Sequence, residues 1–160
     1  MIVEAQVTIN ASKAAIWATI TNIENSAKTI SGIESIEVLE KPSTGLAGLR
    51  WHETRMLSGK PATVEKWITE ALENEFYETR AEDIGFVFIS TKRLSGADGA
   101  ITLSERHESN PQSFAAKLMS IPMTLLFKSV ARKAVLQDLD DVKTLVEQGQ
   151  SAAAAIGRGH

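Results

Sequence analysis

The sequence predicts an α+β fold, a curved antiparallel sheet of about seven strands wrapped around one long C-terminal helix, with two short helices after the first strand. Three observations carry this. Between residues 33 and 108 a series of stretches alternates apolar and polar side chains, the period-two mark of half-buried strands. Short turn signals ("KPSTG", "SGKP", "EN", "EDIG", "SGADG") separate them at the spacing of an antiparallel meander. From residue 113 to 148 the apolar period changes to three and four. A sheet with a single long helix buries one face against that helix. Where the sheet curves strongly, the helix cannot fill the concavity, and a pocket for a small ligand remains.

The elements follow in order. Residues 2–10 alternate with Val3, Ala5, Val7 and Ile9 toward the core. In "NASKAAIWATITN", Asn10 or Ser12 can cap a helix whose apolar stripe is Ile16, Trp17 and Ile20. A second short helix covers 24–30 and ends near Gly32. Strands follow at about 33–41, 47–58, 62–72, 75–82, 86–95 and 99–108. Pro122 deletes a helix hydrogen bond, so a short helix at about 113–120, a break or kink, and a long helix from near Ser120 to Gly149 are expected. In the long helix Asp138 interrupts the apolar stripe. Residues 1–148 read as a single domain and 149–160 as a flexible C-terminal tail.

Composition narrows the function classes. The chain has 160 residues, 43% of them hydrophobic, enough for a core without staples. A net charge of -3 argues against nucleic acid as a partner. The absence of cysteine removes disulfides, thiolate metal sites and a cysteine nucleophile. The opening "MIVEAQVTIN" lacks the pattern of a signal peptide, and "IPMTLLFKSV" reads as too short and too charged to cross a bilayer, so a cytoplasmic protein without stable membrane insertion is expected.

Three stretches together resemble the START/SRPBCC superfamily, the helix-grip fold of polyketide cyclases, lipid-transfer proteins and the birch-pollen allergen. "VTINASKAAIWATITN" is similar to that family's opening strand and helix, with Trp17 in its "VW" pair and Ile16 in place of the valine. "GLRWHETRM" is similar to the third-strand pattern G-x-R-W-x-E-x-R of bacterial members. "LQDLDDVKTLVEQ" resembles the final-helix pattern, with Val142 in place of a leucine. The resemblance covers about residues 1–148 and implies a ligand cavity between sheet and helix. The superfamily holds carriers, cyclases, hydrolases, ring-hydroxylase subunits and co-chaperone activators, and fold alone does not choose among them.

The candidate site starts from a conflict in "GLRWHETRML". The strand's inward set, Leu49, Trp51 and Leu57, also contains Glu53 and Arg55. Residues two apart on a strand share a face roughly 7 Å apart, so the two can pair. They are a satisfied structural pair at the wet end of the sheet, or a polar anchor in a ligand cavity with Arg55 holding a carboxylate or enolate oxygen, or a β-bulge shifts the alternation and they do not face inward. In "AITLSERHE", Leu103 sets an inward face that also carries Glu105 and His107, the latter the one histidine suited to general-base work. On strand 62–72 either face can point inward; the resemblance favours Trp67, which with Trp51 would form pocket walls. Met119, Met123 and Phe127 lie in a pliable apolar stretch that the resemblance places at the cavity mouth as a gate. No metal-ligand spacing is present, and no cofactor is expected.

The expected function is binding of a small hydrophobic or amphipathic molecule (lipid, polyketide or isoprenoid-like) by a monomer or homodimer. The alternative is a cyclase/dehydrase-type enzyme using Glu53, Arg55 and His107. A further alternative, which a large exposed apolar patch would favour, is a protein-interaction module.

Overall fold

In the computed structural model, which describes residues 1–157, seven antiparallel strands form one sheet in the order β1-β7-β6-β5-β4-β3-β2. The strands are β1 (Ile2–Ile9), β2 (Ile33–Glu40), β3 (Arg50–Leu57), β4 (Lys60–Leu72), β5 (Phe76–Asp83), β6 (Phe86–Ala97) and β7 (Ala100–Pro111). Because β1 and β2 lie at opposite edges, the chain between them must cross the concave face. It does so as α1 (Lys13–Ile20), a 3-10 turn (Ile23–Asn25) and α2 (Ser26–Thr29). Ser12 caps α1, its hydroxyl accepting from the Ala15 amide at 3.1 Å. Irregular pairing in β2 and in β4 after Ile68 marks where strands bend, as bulges do.

The core sits between the sheet and the helices. Ile9, Ile68, Leu94, Ile101 and Leu103 from the sheet meet Ile16, Trp17 and Ile20 of α1 and Leu139, Val142 and Val146 of the C-terminal helix. Trp17 packs edge-on against Tyr77, ring centroids 6.1 Å apart. The Tyr77 hydroxyl donates to the Ile20 carbonyl at 3.1 Å, tying the end of α1 to the sheet.

The C-terminal helix departs from expectation in two ways. It is one element, α3 (Phe114–Gly157), with Pro122 inside it rather than at a break. Ser113 caps it, accepting from the Ala116 amide. Around Pro122 the side chains of Ser120 and Thr124 donate to the carbonyls of Lys117 and Ser120, and the helix continues past the one amide that proline lacks. Nor does Gly149 end the helix. A glycine terminates a helix by turning left-handed; Gly149 does not, and strong helix formers, Ala152 to Ala155, follow it. Residues 149–157 are therefore helical, and the rest of the expected tail lies outside the described residues.

Candidate functional site

The strand register decides what faces the concavity. On β3, Trp51, Glu53 and Arg55 point inward, so the conflict in the sequence is real. On β4 the inward residues are Lys66 and Ile68. Pairing across the sheet adds Tyr77 and Thr79 from β5, Ser90 and Lys92 from β6, and Glu105 from β7. Together with Asp138 and Val142 of α3 and residues 19–33, they enclose a cavity of about 70 Å³.

Three cations and three carboxylates line it, and each is paired. The Arg55 Nε donates to Glu53 Oε1 at 2.6 Å, and its two terminal nitrogens grip Asp138 at 3.2 and 2.7 Å. Lys66 donates to the same Glu53 oxygen at 2.8 Å. Lys92 donates to Glu105 at 2.6 Å. Such pairs persist in the interior only when their geometry repays the loss of water. The Glu53 side chain is 6% exposed. Burial alone would push its pKa up, but the charges and hydrogen bonds of Lys66 and Arg55 outweigh burial and hold it at about 2. Burial pulls Lys92 down and Glu105 more than restores it, leaving the ammonium fully charged. Burial pushes the Tyr77 phenol up to about 12 against the opposing charge of Lys92.

The residues predicted for the site divide. Trp51, Glu53, Arg55 and Glu105 meet at the cavity. Leu103 is fully buried core beneath it and lines nothing. Trp67 points the other way, out of the convex face, where the Arg50 guanidinium lies 4.9 Å over its ring; Lys66 takes the inward place. His107 faces inward but one pair farther along, stacked on Phe88 and hydrogen-bonded to Ser90 Oγ at 2.7 Å. Burial lowers its pKa despite the nearby Glu105. Met119, Met123 and Phe127 do not reach the cavity; they are exposed on the first half of α3. The cavity is also more polar than a mainly apolar pocket, because six of its lining residues carry charge.

Lys66, Tyr77, Ser90, Lys92 and Asp138 were not among the predicted site residues. Two signals were available. Lys92 sits in register with Ser90 and Leu94 on one strand face, and Asp138 interrupts an apolar helix stripe. What was missing is that Asp138, 83 residues away from Arg55 in the chain, is its partner.

No protein-family model matches the sequence, and no curated protein matches it. Solved structures do. The di-domain ARO/CYC protein StfQ of the steffimycin biosynthetic pathway is similar with TM-score 0.76 and 10% identity, over 94% of this chain and 51% of that one, so the chain spans about half of that protein. A START superfamily protein from Mycobacterium smegmatis is similar with TM-score 0.73 and 14% identity, over 92% of this chain and 97% of that one. The Streptomyces aromatase/cyclase Zhui is similar with TM-score 0.72 and 15% identity, over 92% and 94%. At these identities the likeness is one of fold: the chain has the helix-grip fold of START-type proteins.

Proposed function

We propose that the chain binds a small amphipathic molecule, with the molecule's oxygen-bearing end on Lys66 and Lys92. The observation that carries this is unspent donor capacity. Each ammonium has three N–H donors and gives one to a carboxylate. Both face the cavity, whose other wall is Ile20, Ile23, Ile30, Ile33 and Val142. An oxygen acceptor at one end and an apolar body at the other match those two walls. Arg55 is held in place rather than offered to a ligand: three of its five N–H donors, one on each nitrogen, already go to Glu53 and Asp138. Ligand pockets usually measure roughly 300–1,000 Å³. A lipid, polyketide or isoprenoid-like molecule therefore enters only as the crossing segment 19–33 moves outward. Native mass spectrometry of the purified chain tests the reading. A retained small molecule in the parent, lost in Lys66→Met, supports it. No retained mass, together with no Trp51-dependent fluorescence response to amphipathic probes, overturns it.

The Ser90–His107 contact favours a second reading, a cyclase/dehydrase-type enzyme. Ser90 lines the cavity, and His107, kept neutral by burial, can accept a proton through it. Lys92 would stabilise an enolate oxygen. Glu53, held ionised by its two cations, is too weak a base for the part. Here the parent would release a bound substrate chemically altered, and His107→Phe would release it unaltered.

A further inference from the structure

The first half of α3 is built inside out. Between residues 117 and 130, the only half-buried positions are Ser120 and Thr124, and the next is Ala131, so small side chains face the protein. The large apolar ones face water: Leu118 is 65% exposed, Leu125 82%, Leu126 68% and Val130 59%. An 18-residue stretch of α3 is apolar and long enough, by composition, to cross a membrane, and 6% of it is buried. This apolar window is longer than the ten residues "IPMTLLFKSV" singled out in the sequence. Soluble monomers rarely leave so large a continuous apolar face open, and such faces mark contact sites.

Charge identifies the occupant. From Phe114 to Gln137 the basic residues are Lys117, Lys128, Arg132 and Lys133, all exposed, and there is no Asp or Glu. This lies in a chain whose net charge is -3. A basic helix with an outward apolar face is the pattern of a helix lying in an anionic lipid surface. A second copy of this chain fits worse, because a two-fold contact sets the same patch against itself and brings like charges together. Crossing the bilayer fits worse too. Ala116 and Leu139 are buried on the fold at either end of the exposed stretch, so the segment is held at both ends.

A second observation comes from the β5–β6 hairpin beside the start of α3. Its turn is "DIGF", with Ile84 at φ 46 and Gly85 at φ 76. Such turns take Asn or Asp at the first position, and a β-branched residue there is strained. Ile84 is nonetheless 81% exposed. The turn touches the helix: Gln112 donates to the Gly85 carbonyl at 2.8 Å, and a side chain at Gly85 would reach Ala116. A strained apolar residue is thus aimed into water beside the start of the helix, and strain of this kind collects at functional sites.

We infer that the outward face of residues 114–133, with Ile84, docks the protein on an anionic lipid surface, lying in the headgroup region without crossing it. Co-sedimentation with phosphatidylcholine vesicles, with and without phosphatidylglycerol, tests this. The parent chain should bind the phosphatidylglycerol vesicles, and added salt should weaken binding. The triple variant Lys128→Gln/Arg132→Gln/Lys133→Gln should lose affinity on the order of a hundredfold, and Leu125→Ser/Leu126→Ser should lose it as well. Circular dichroism should show both variants folded, since every substituted side chain is exposed. The proposal is overturned if no vesicle is bound, or if neutral and anionic vesicles bind equally. It is also overturned if sedimentation velocity shows a dimer that Leu125→Ser/Leu126→Ser dissolves. These outcomes do not depend on a ligand in the cavity.

Discussion

The two halves of α3 use the same kind of residue in opposite ways. In the second half Leu139, Val142 and Val146 turn inward to the core, and Asp138 bonds Arg55 across the sheet. In the first half the leucines turn outward and serine, threonine and alanine turn inward. Both halves carry leucines and valines at helical spacing, and the first half is the more apolar of the two. What differs is whether the apolar face has a partner within the chain. The comparison teaches that an apolar helical stripe reports a buried face somewhere, without saying that the face is buried in this molecule.

The largest expected effect comes from the anchored half. Arg55→Met leaves Asp138 unpaired and removes one of the two cations on Glu53, so urea denaturation should show a loss of about 3–5 kcal/mol. Adding Asp138→Leu should recover much of it, because Glu53 keeps Lys66 as its partner. A loss under about 1 kcal/mol would mean a solvated pair, and the two halves of α3 would differ less than described. Next, Leu139→Ala should cost about 2–5 kcal/mol, because Leu139 is wholly buried and leaves a cavity.

Acid should attack the same anchor. The folded pKa of Glu53 is about 2 against an ordinary 4.5. Its contribution is thus complete above 4.5 and fades as pH falls toward 2, amounting to about 3 kcal/mol. His107, also lowered in the folded state, adds a milder loss as pH falls below its ordinary 6.5. Thermal melts across that range should decline in two stages, and Glu53→Gln should abolish the lower one. The smallest effect belongs to the unpartnered half. Leu125→Ala should change stability by no more than about 0.5 kcal/mol. A clearly larger loss would show that the outward face is packed after all.

Much of the architecture was legible because strand alternation and turn residues are local signals. Each of the seven strands lies within a few residues of its expected place. The inward Glu53 and Arg55 were legible for the same reason, since alternation on β3 has a single solution with Trp51 buried. β4 was different. Lys66 and Trp67 each have a half-apolar neighbourhood, and only pairing with β3 and β5 fixes which faces inward. The cavity's charge balance was illegible because it joins four strands and a helix far apart in sequence. Pro122 misled for a physical reason: proline removes one bond, but a helix with an open outer side can bend around the gap and keep its course.

Gly32 gives the anchor one more consequence. The sequence reads this glycine as a stop after the short helices. Its backbone is not left-handed, so conformation does not require a glycine there. Space does: a methyl group at this position would stand 2.9 Å from an Arg55 terminal nitrogen and 3.5 Å from Asp138 Oδ1. The guanidinium could ordinarily swing aside, but its bonds to two carboxylates fix it. Position 32 and the Arg55–Asp138 bridge are therefore a single unit of variation. A sequence that gains a side chain here must give up the bridge, and one that gives up the bridge is free to fill the place.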